Sequence, residues 1–199
     1  MARPQIILAS GSAARRQVLR NVGIDAIPIK PNVDENALKV DMRRNNVPVR
    51  DQAMHLAEMK ARKVSSQHEG LVIAGDQMLS LNGDAFDKPP TLEAAKDHLR
   101  QLSGQTHTLE TAIMICEDGQ PVWRHLARPK LTVRPLSEAF IQSYVGDCGD
   151  ALLSTVGAYQ LEGRGAQLFT AIEGDFFSIL GLPLLPLLDY FRTRGILPI

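Results

Sequence analysis

No charge of one sign predominates in this chain: 22 lysines and arginines are matched by 22 aspartates and glutamates. Proteins that live on nucleic acid or on an anionic membrane usually carry a basic surplus, so neither partner is expected. Cysteine is scarce. Cys116 and Cys148 form no C-x-x-C pair, which argues against a thiolate zinc site or a redox dithiol. Cys116 ends the apolar run Ala112-Ile113-Met114-Ile115-Cys116 and is expected to be a buried small hydrophobe. Long hydrophobic runs are missing too. The stretch Ile6 to Ala9, behind Met1-Ala2-Arg3-Pro4-Gln5, is too short for a signal-peptide core. The apolar tail from Ile179 to Phe191 is interrupted by Pro183, Pro186 and Asp189 and falls short of a membrane span. A cytoplasmic protein is the expectation. Internal repeats, low-complexity tracts and obvious linkers are absent, and the five histidines (His55, His68, His98, His107, His125) lack metal-ligand spacing.

What remains is an ordinary globular composition. At 199 residues and 44% hydrophobic content, residues 1–199 are read as a single domain able to bury a sizeable core. Gln5 to Ala9 reads as a buried strand, Ser10-Gly11-Ser12 as a turn, and Ala13 to Val22 as a helix stopped by Gly23. Ile24 to Ile29 is a second strand candidate. Ala53, Leu56, Ala57, Lys60, Ala61 and Val64 recur at helical spacing. Leu71-Val72-Ile73-Ala74-Gly75 is a continuous apolar run, expected of a strand covered on both faces and ending at Asp76. Asn82-Gly83 between Met78–Leu81 and Asp84–Phe86 signals a hairpin. Thr91 caps a helix to Leu102, with Gly104 just beyond. Two strands, about 106–116 and 122–135, meet at Glu117-Asp118-Gly119. Ser137 caps a helix to Val145, and Leu184 to Thr193 forms the last. The alternation of β and α followed by paired strands implies an α/β fold: a mixed sheet with flanking helices, in two lobes around a cleft.

Several segments carry chemistry. Ser10-Gly11-Ser12-Ala13-Ala14-Arg15-Arg16 follows a strand and opens a helix, where small residues and free amides let an anion approach. Arg15 adds a bidentate fork; the plainer reading is a capped helix start with solvated arginines. Asp76 sits where open α/β sheets place ligands, or else caps a turn. Asp34-Glu35 supplies a carboxylate pair on a loop, which by itself reads as a solvated turn. Lys60 lies within the apolar stripe of its helix, so its stem points inward; it either snorkels past the edge or reaches a phosphate. Lys88, in Asp87-Lys88-Pro89-Pro90, follows the hairpin on a proline-stiffened loop.

Taken together these segments resemble the Maf family of nucleoside triphosphate pyrophosphatases, also described as septum-formation inhibitors. The resemblance rests on Leu8-Ala9-Ser10-Gly11-Ser12 with Arg15, Val33-Asp34-Glu35, Leu56-Ala57 with Lys60-Ala61, Ala74-Gly75-Asp76-Gln77 and Lys88-Pro89. It continues through Gly157-Ala158-Tyr159, Glu162-Gly163, Gly165-Ala166, Ile172 with Gly174-Asp175, and Gly181-Leu182-Pro183-Leu184. It implies a fold similar to inosine triphosphate pyrophosphatases and hydrolysis of a nucleoside triphosphate to monophosphate and pyrophosphate. It also implies that Asp76 is the catalytic base near a divalent cation, Mg²⁺ or Mn²⁺, with Glu35 associated with that cation. Ser10, Ser12, Arg15, Lys60 and Lys88 then hold the triphosphate, and a homodimer follows family habit. Such hydrolysis needs a metal to neutralise oxygens and position water, and cations to balance charge on the leaving pyrophosphate.

The chain departs from the family in two places. Most members read Ser-Pro-Arg-Arg where Ser12-Ala13-Ala14-Arg15 stands, so one arginine is lost and Arg16 is the candidate substitute. Asp87 replaces the usual glycine. Gln77 and Glu162 resemble the branch acting on 7-methyl-GTP, and a carboxylate suits the ring N–H and amino group of guanine. Gly174-Asp175-Phe176-Phe177 resembles the branch acting on dTTP and UTP. Two rival functions fit the residues less well. A sugar nucleotidyltransferase would place a lysine about ten residues after the first turn, where this chain has only Arg20. A non-catalytic nucleotide-binding regulator of cell division would not need Glu35, Lys60, Asp76 and Lys88 together.

Overall fold

The computed structural model describes residues 4–198, so the reading of the leading segment lies, at Met1, Ala2 and Arg3, outside the described residues. The chain is α/β, with a mixed sheet flanked by helices. The described residues divide into two compact units: 4–77, 111–127 and 175–198 form the first, and 78–110 and 128–174 the second.

In the first unit, β1 (Ile6–Leu8) pairs in parallel with β2 (Ile27–Pro28) and with the start of β3 (Leu71–Leu81). Between them come α1 (Ala13–Asn21), α2 (Glu35–Arg44) and α3 (Val49–Ser65). The later half of β5 (Thr106–Glu117) pairs antiparallel with β6 (Gln120–Ala127). The chain then returns as α6 (Phe176–Ile179) and α7 (Leu184–Thr193). Leu8, Leu71, Ile73, Ile113 and Ile115 from the strands form one core with Val18 and Leu19 of α1 and Leu184, Leu187 and Phe191 of α7.

Strand periodicity is what places the site. Side chains alternate faces along β3. Leu71 and Ile73 join the core shared with α1 and α7, so Gly75 and Gln77 follow on that side. Val72, Ala74 and Asp76 take the other side, where Asp76 meets Lys60 of α3.

The second unit begins with the end of β3, which turns through Asn82 (φ +54°) and Gly83 (φ +95°) into β4 (Asp84–Phe86). The left-handed φ at both positions is what an Asn-Gly hairpin turn requires. α4 (Leu92–Leu102) is capped by Thr91, whose Oγ1 accepts from the Ala94 N–H at 3.1 Å. α5 (Glu138–Cys148) is capped in the same way by Ser137, which accepts from the Phe140 N–H at 3.2 Å. The start of β5 pairs antiparallel with β7 (Lys130–Val133), and β7 with β8 (Phe169–Glu173). Three short 3₁₀ turns occupy most of residues 149–168.

Several expectations need correction. β3 does not end at Asp76 but runs on to Leu81, so Asp76 is a mid-strand residue; pairing with β4 sustains the extended backbone. The strand expected at 24–29 shortens to two residues. The strand expected at 122–135 is two strands separated at Arg128-Pro129, where proline cannot donate to a ladder. Asp34-Glu35 is not a loop. Asp34 caps α2 by accepting from the Ala37 N–H at 3.0 Å, and Glu35 is the helix's first residue. α2 escapes sequence reading because only Met42 of its side chains is buried, leaving no apolar stripe. Cys116 is fully buried and unpaired, as its apolar run implies. Among the described residues no helix is long and apolar enough to cross a membrane.

Candidate active site

The first unit brings Ser10, Arg15, Glu35, Lys60, Asp76 and Gln77 into one constellation. Lys60 and Asp76 are each only 6% exposed. The Lys60 ammonium donates to Asp76 Oδ1 at 2.6 Å and lies 2.8 Å from Glu35 Oε2. The inward stem read from the helical stripe is therefore real, and its head is buried in an ion pair instead of snorkelling to solvent. Asp76 Oδ2 is buried and has no hydrogen-bond partner among the described residues. Buried polar atoms are nearly always satisfied, so a bare carboxylate oxygen in such a place marks a position prepared for a proton or a cation.

Arg15 closes the other side of β3. Its Nε donates to the Gly181 carbonyl at 2.7 Å and one terminal nitrogen donates to Ser10 Oγ at 3.2 Å. The guanidinium lies against two glycines. A Cβ on Gly75 would stand 3.1 Å from Arg15 Nε, and one on Gly181 would stand 3.4 Å from a terminal nitrogen. Gly181 also has φ +94°, a backbone region that side chains disfavour. Burial pulls the Arg15 pKa below its ordinary value, while the charges of Asp76 and Glu35 push it back up. A guanidinium stays protonated throughout, so the lost first arginine of the family leaves one fixed positive charge here.

Ser10 Oγ also accepts from the Ser12 N–H at 3.2 Å, and Ser12 Oγ caps α1 by accepting from the Arg15 N–H at 3.3 Å. Ser10, Gly11 and Ser12 line a cavity of about 190 Å³ with Arg16, Pro28 and Lys30. Arg16, the candidate substitute for the lost arginine, is one of its lining residues. Lys30, a further lining residue, stands out in the sequence by one signal only. The parallel register Leu8↔Pro28 carries Lys30 as far past β2 as Ser10 lies past β1, at the carboxyl ends where such sheets bind ligands.

Gln77 uses its side-chain amide on its own chain. Nε2 faces Thr111 Oγ1 at 2.8 Å and the carbonyls of Ser178 and Ile179 at 3.0 and 3.1 Å. Any contact of Gln77 with a ligand must therefore be accepted by its carbonyl oxygen.

Lys88 and Glu162 belong to the second unit. Lys88 is exposed between β4 and α4, and Glu162 is exposed among the 3₁₀ turns. The segment carrying Glu162 is anchored from below by Tyr159, whose hydroxyl meets buried His107 Nε2 at 2.8 Å. Burial depresses the His107 pKa to about 4. Gly157 lies at φ +77°, where an added Cβ would come within 2.6 Å of Leu79 Cδ1. Neither His107 nor this packing was singled out from sequence, because a lone histidine in a strand carries no pattern.

Comparison with known proteins identifies the family. A family model described as "Maf-like protein" matches residues 5–194. The chain is 68% identical over 193 residues to a protein of Hyphomonas neptunium named nucleoside triphosphate pyrophosphatase, covering 97% of this chain and 98% of the relative. A Rhodospirillum rubrum protein of the same name is 48% identical over 195 residues, covering 98% and 96%. A Mesorhizobium japonicum protein named 7-methyl-GTP pyrophosphatase is 46% identical over 192 residues, covering 96% of each. With its sequence matched over nearly its whole length, this chain belongs to the Maf family.

Proposed function

We propose that this chain hydrolyses nucleoside triphosphates to the monophosphate and pyrophosphate, with Asp76 as the base. The observation that carries the reading is the buried Asp76 carboxylate, with one oxygen held by Lys60 and the other unpartnered. Held this way, Oδ1 fixes the carboxyl plane and leaves Oδ2 to take a proton from water attacking the α-phosphorus. Ser10, Ser12 and Arg16, with Lys30, line a cavity suited to phosphate oxygens, and Arg15 adds a positive charge that its bonds to Gly181 and Ser10 keep in place. Lys60 and the cations near α1 balance charge on the departing pyrophosphate.

The donor set also fits a hard divalent cation. Asp76 and Glu35 are carboxylates of the kind Mg²⁺ takes, usually one or two together with substrate phosphates. Among the described residues no group of three or more Asp, Glu, His or Cys gathers, so substrate and water would complete the shell. Mg²⁺ or Mn²⁺ bound there would neutralise phosphate oxygens and orient water. We further propose a cytoplasmic location, from composition, and a homodimer, from family habit.

The roles of Lys88 with triphosphate and of Glu162 with the base rest on the family resemblance alone. Guanine-type triphosphates, including 7-methyl-GTP, are proposed to outrank dTTP. The name of the Mesorhizobium japonicum relative favours this, and a carboxylate can accept from two guanine donors where thymine offers one. Glu162→Gln should narrow the preference; competition showing dTTP or UTP favoured tenfold by the unmodified protein would overturn it. The reaction itself is tested by product analysis with Mg²⁺. Monophosphate and pyrophosphate are expected; diphosphate and orthophosphate would move the attack to the γ-phosphorus and refute the proposal.

A further inference from the structure

We infer that Lys60 is a resident counter-ion which holds the place of the divalent cation until nucleotide arrives, so that the cation binds with the nucleotide and not before it. The inference deepens the metal reading above and rests on it. Lys60 contacts both carboxylates assigned to the cation, at 2.6 Å to Asp76 and 2.8 Å to Glu35. Both anions therefore share one buried ammonium. Arg15 adds a second positive charge acting on the same two groups. Two carboxylates against two cations leave the cluster electrically balanced, with no net attraction for a divalent ion.

The two cations are not equivalent. Arg15 is tied to the Gly181 carbonyl and to Ser10 Oγ and lies against Gly75 and Gly181, so it stays. Lys60 has a flexible four-carbon stem and rotatable donors, and its ammonium is held by the two carboxylates themselves. A triphosphate supplies the alternative anion. When phosphate oxygens take the Lys60 ammonium, Asp76 Oδ1 and Glu35 Oε2 would be free to hold the cation, and Asp76 Oδ2 would remain open for the proton of the attacking water. The exchange is a swap of partners in which every charge remains paired, which is why neither half proceeds well alone.

The test is Mn²⁺ binding, followed by the electron paramagnetic resonance of free Mn²⁺, with wild-type protein and Lys60→Met. An α,β-methylene analogue of GTP serves as the uncleavable nucleotide. Wild type should bind Mn²⁺ weakly alone and tightly with the analogue. Lys60→Met should bind Mn²⁺ without nucleotide at least ~10-fold more tightly than wild type. Removing a unit charge a few ångströms from a divalent ion is worth more than a decade of affinity even at the dielectric constant of water. Equal or weaker nucleotide-free affinity in folded Lys60→Met overturns the inference. Absence of Mn²⁺ binding to wild type even with the analogue instead overturns the underlying metal reading. Because the variant leaves one buried negative charge uncompensated, the ¹⁵Nζ resonance of Lys60 in wild-type protein provides a second readout. It should be unmoved by Mg²⁺ alone and shift on addition of Mg²⁺ with the analogue. A full shift with Mg²⁺ alone would also overturn the inference.

Discussion

Replacing Asp76 by asparagine separates catalysis from folding. The substitution keeps the shape, so Lys60 can still donate to the amide oxygen while retaining Glu35 as a full counter-charge. The mid-strand position means the fold does feel the change, because Asp76 is buried and its bond to Lys60 is charge-assisted. Weakening that bond to a charged–neutral one should cost about 1–3 kcal/mol. A domain with about 5–15 kcal/mol of stability remains overwhelmingly folded after such a loss. The chemical effect is larger. Removing the proposed base should lower kcat by about 10²- to 10⁴-fold, which is roughly 3–5 kcal/mol on the barrier. Urea unfolding and steady-state pyrophosphate release on the same preparation measure both quantities. A kcat within about threefold of wild type would exclude Asp76 as the base, whatever happened to stability.

Lys30→Ala, at the cavity shared with Ser10, Gly11, Ser12 and Arg16, should raise KM for triphosphate by about tenfold, the effect of losing one charge-assisted bond, and leave the unfolding midpoint unchanged; an unaltered KM would remove Lys30 from the site. Gly75→Ala places a methyl 3.1 Å from Arg15 Nε and 3.2 Å from the Ala112 carbonyl, so it should destabilise by about 1–3 kcal/mol through overpacking and weaken nucleotide binding, as read by denaturation and KM; wild-type values for both would show that Arg15 is not held there. His107 should make the fold acid-sensitive. Its folded pKa, pushed down to about 4 by burial, lies below the ordinary value of about 6.5, so between those two pH values only the unfolded chain takes the proton. Stability is unaffected above about pH 6.5, falls by about 1.4 kcal/mol per unit down to pH 4, and loses roughly 3 kcal/mol in all. In His107→Gln, which retains a partner for Tyr159, that portion of the pH dependence should vanish from urea midpoints, and its persistence would assign the acid sensitivity to other groups.

Local chemistry made much of this protein legible from sequence. Ser12, Thr91 and Ser137 cap helices because their hydroxyls accept backbone N–H groups a turn later, whatever lies elsewhere in the chain. Asn82-Gly83 turns a hairpin for an equally local reason, tolerance of positive φ. Lys60 was conspicuous because a charge on an apolar helical stripe must be directed inward. These elements, with the family motifs around Ser10, Glu35 and Asp76, set the fold class and most of the candidate site.

What tertiary structure decided was the partner of each polar group. Sequence spacing could not say that Lys60 bridges Glu35 and Asp76, or that Arg15 spends one donor on Gly181, 166 positions away. Nor could it extend β3 beyond Asp76, since that depends on pairing with β4. Only the parallel register sets Lys30 of the β2 end beside Ser10 of the β1 end, and only the folded chain brings Thr111 and α6 to the Gln77 amide. Caps and turns are satisfied within a few residues and so can be read along the chain; ion pairs, cavities and strand register are satisfied through space, between segments whose proximity only the folded chain establishes.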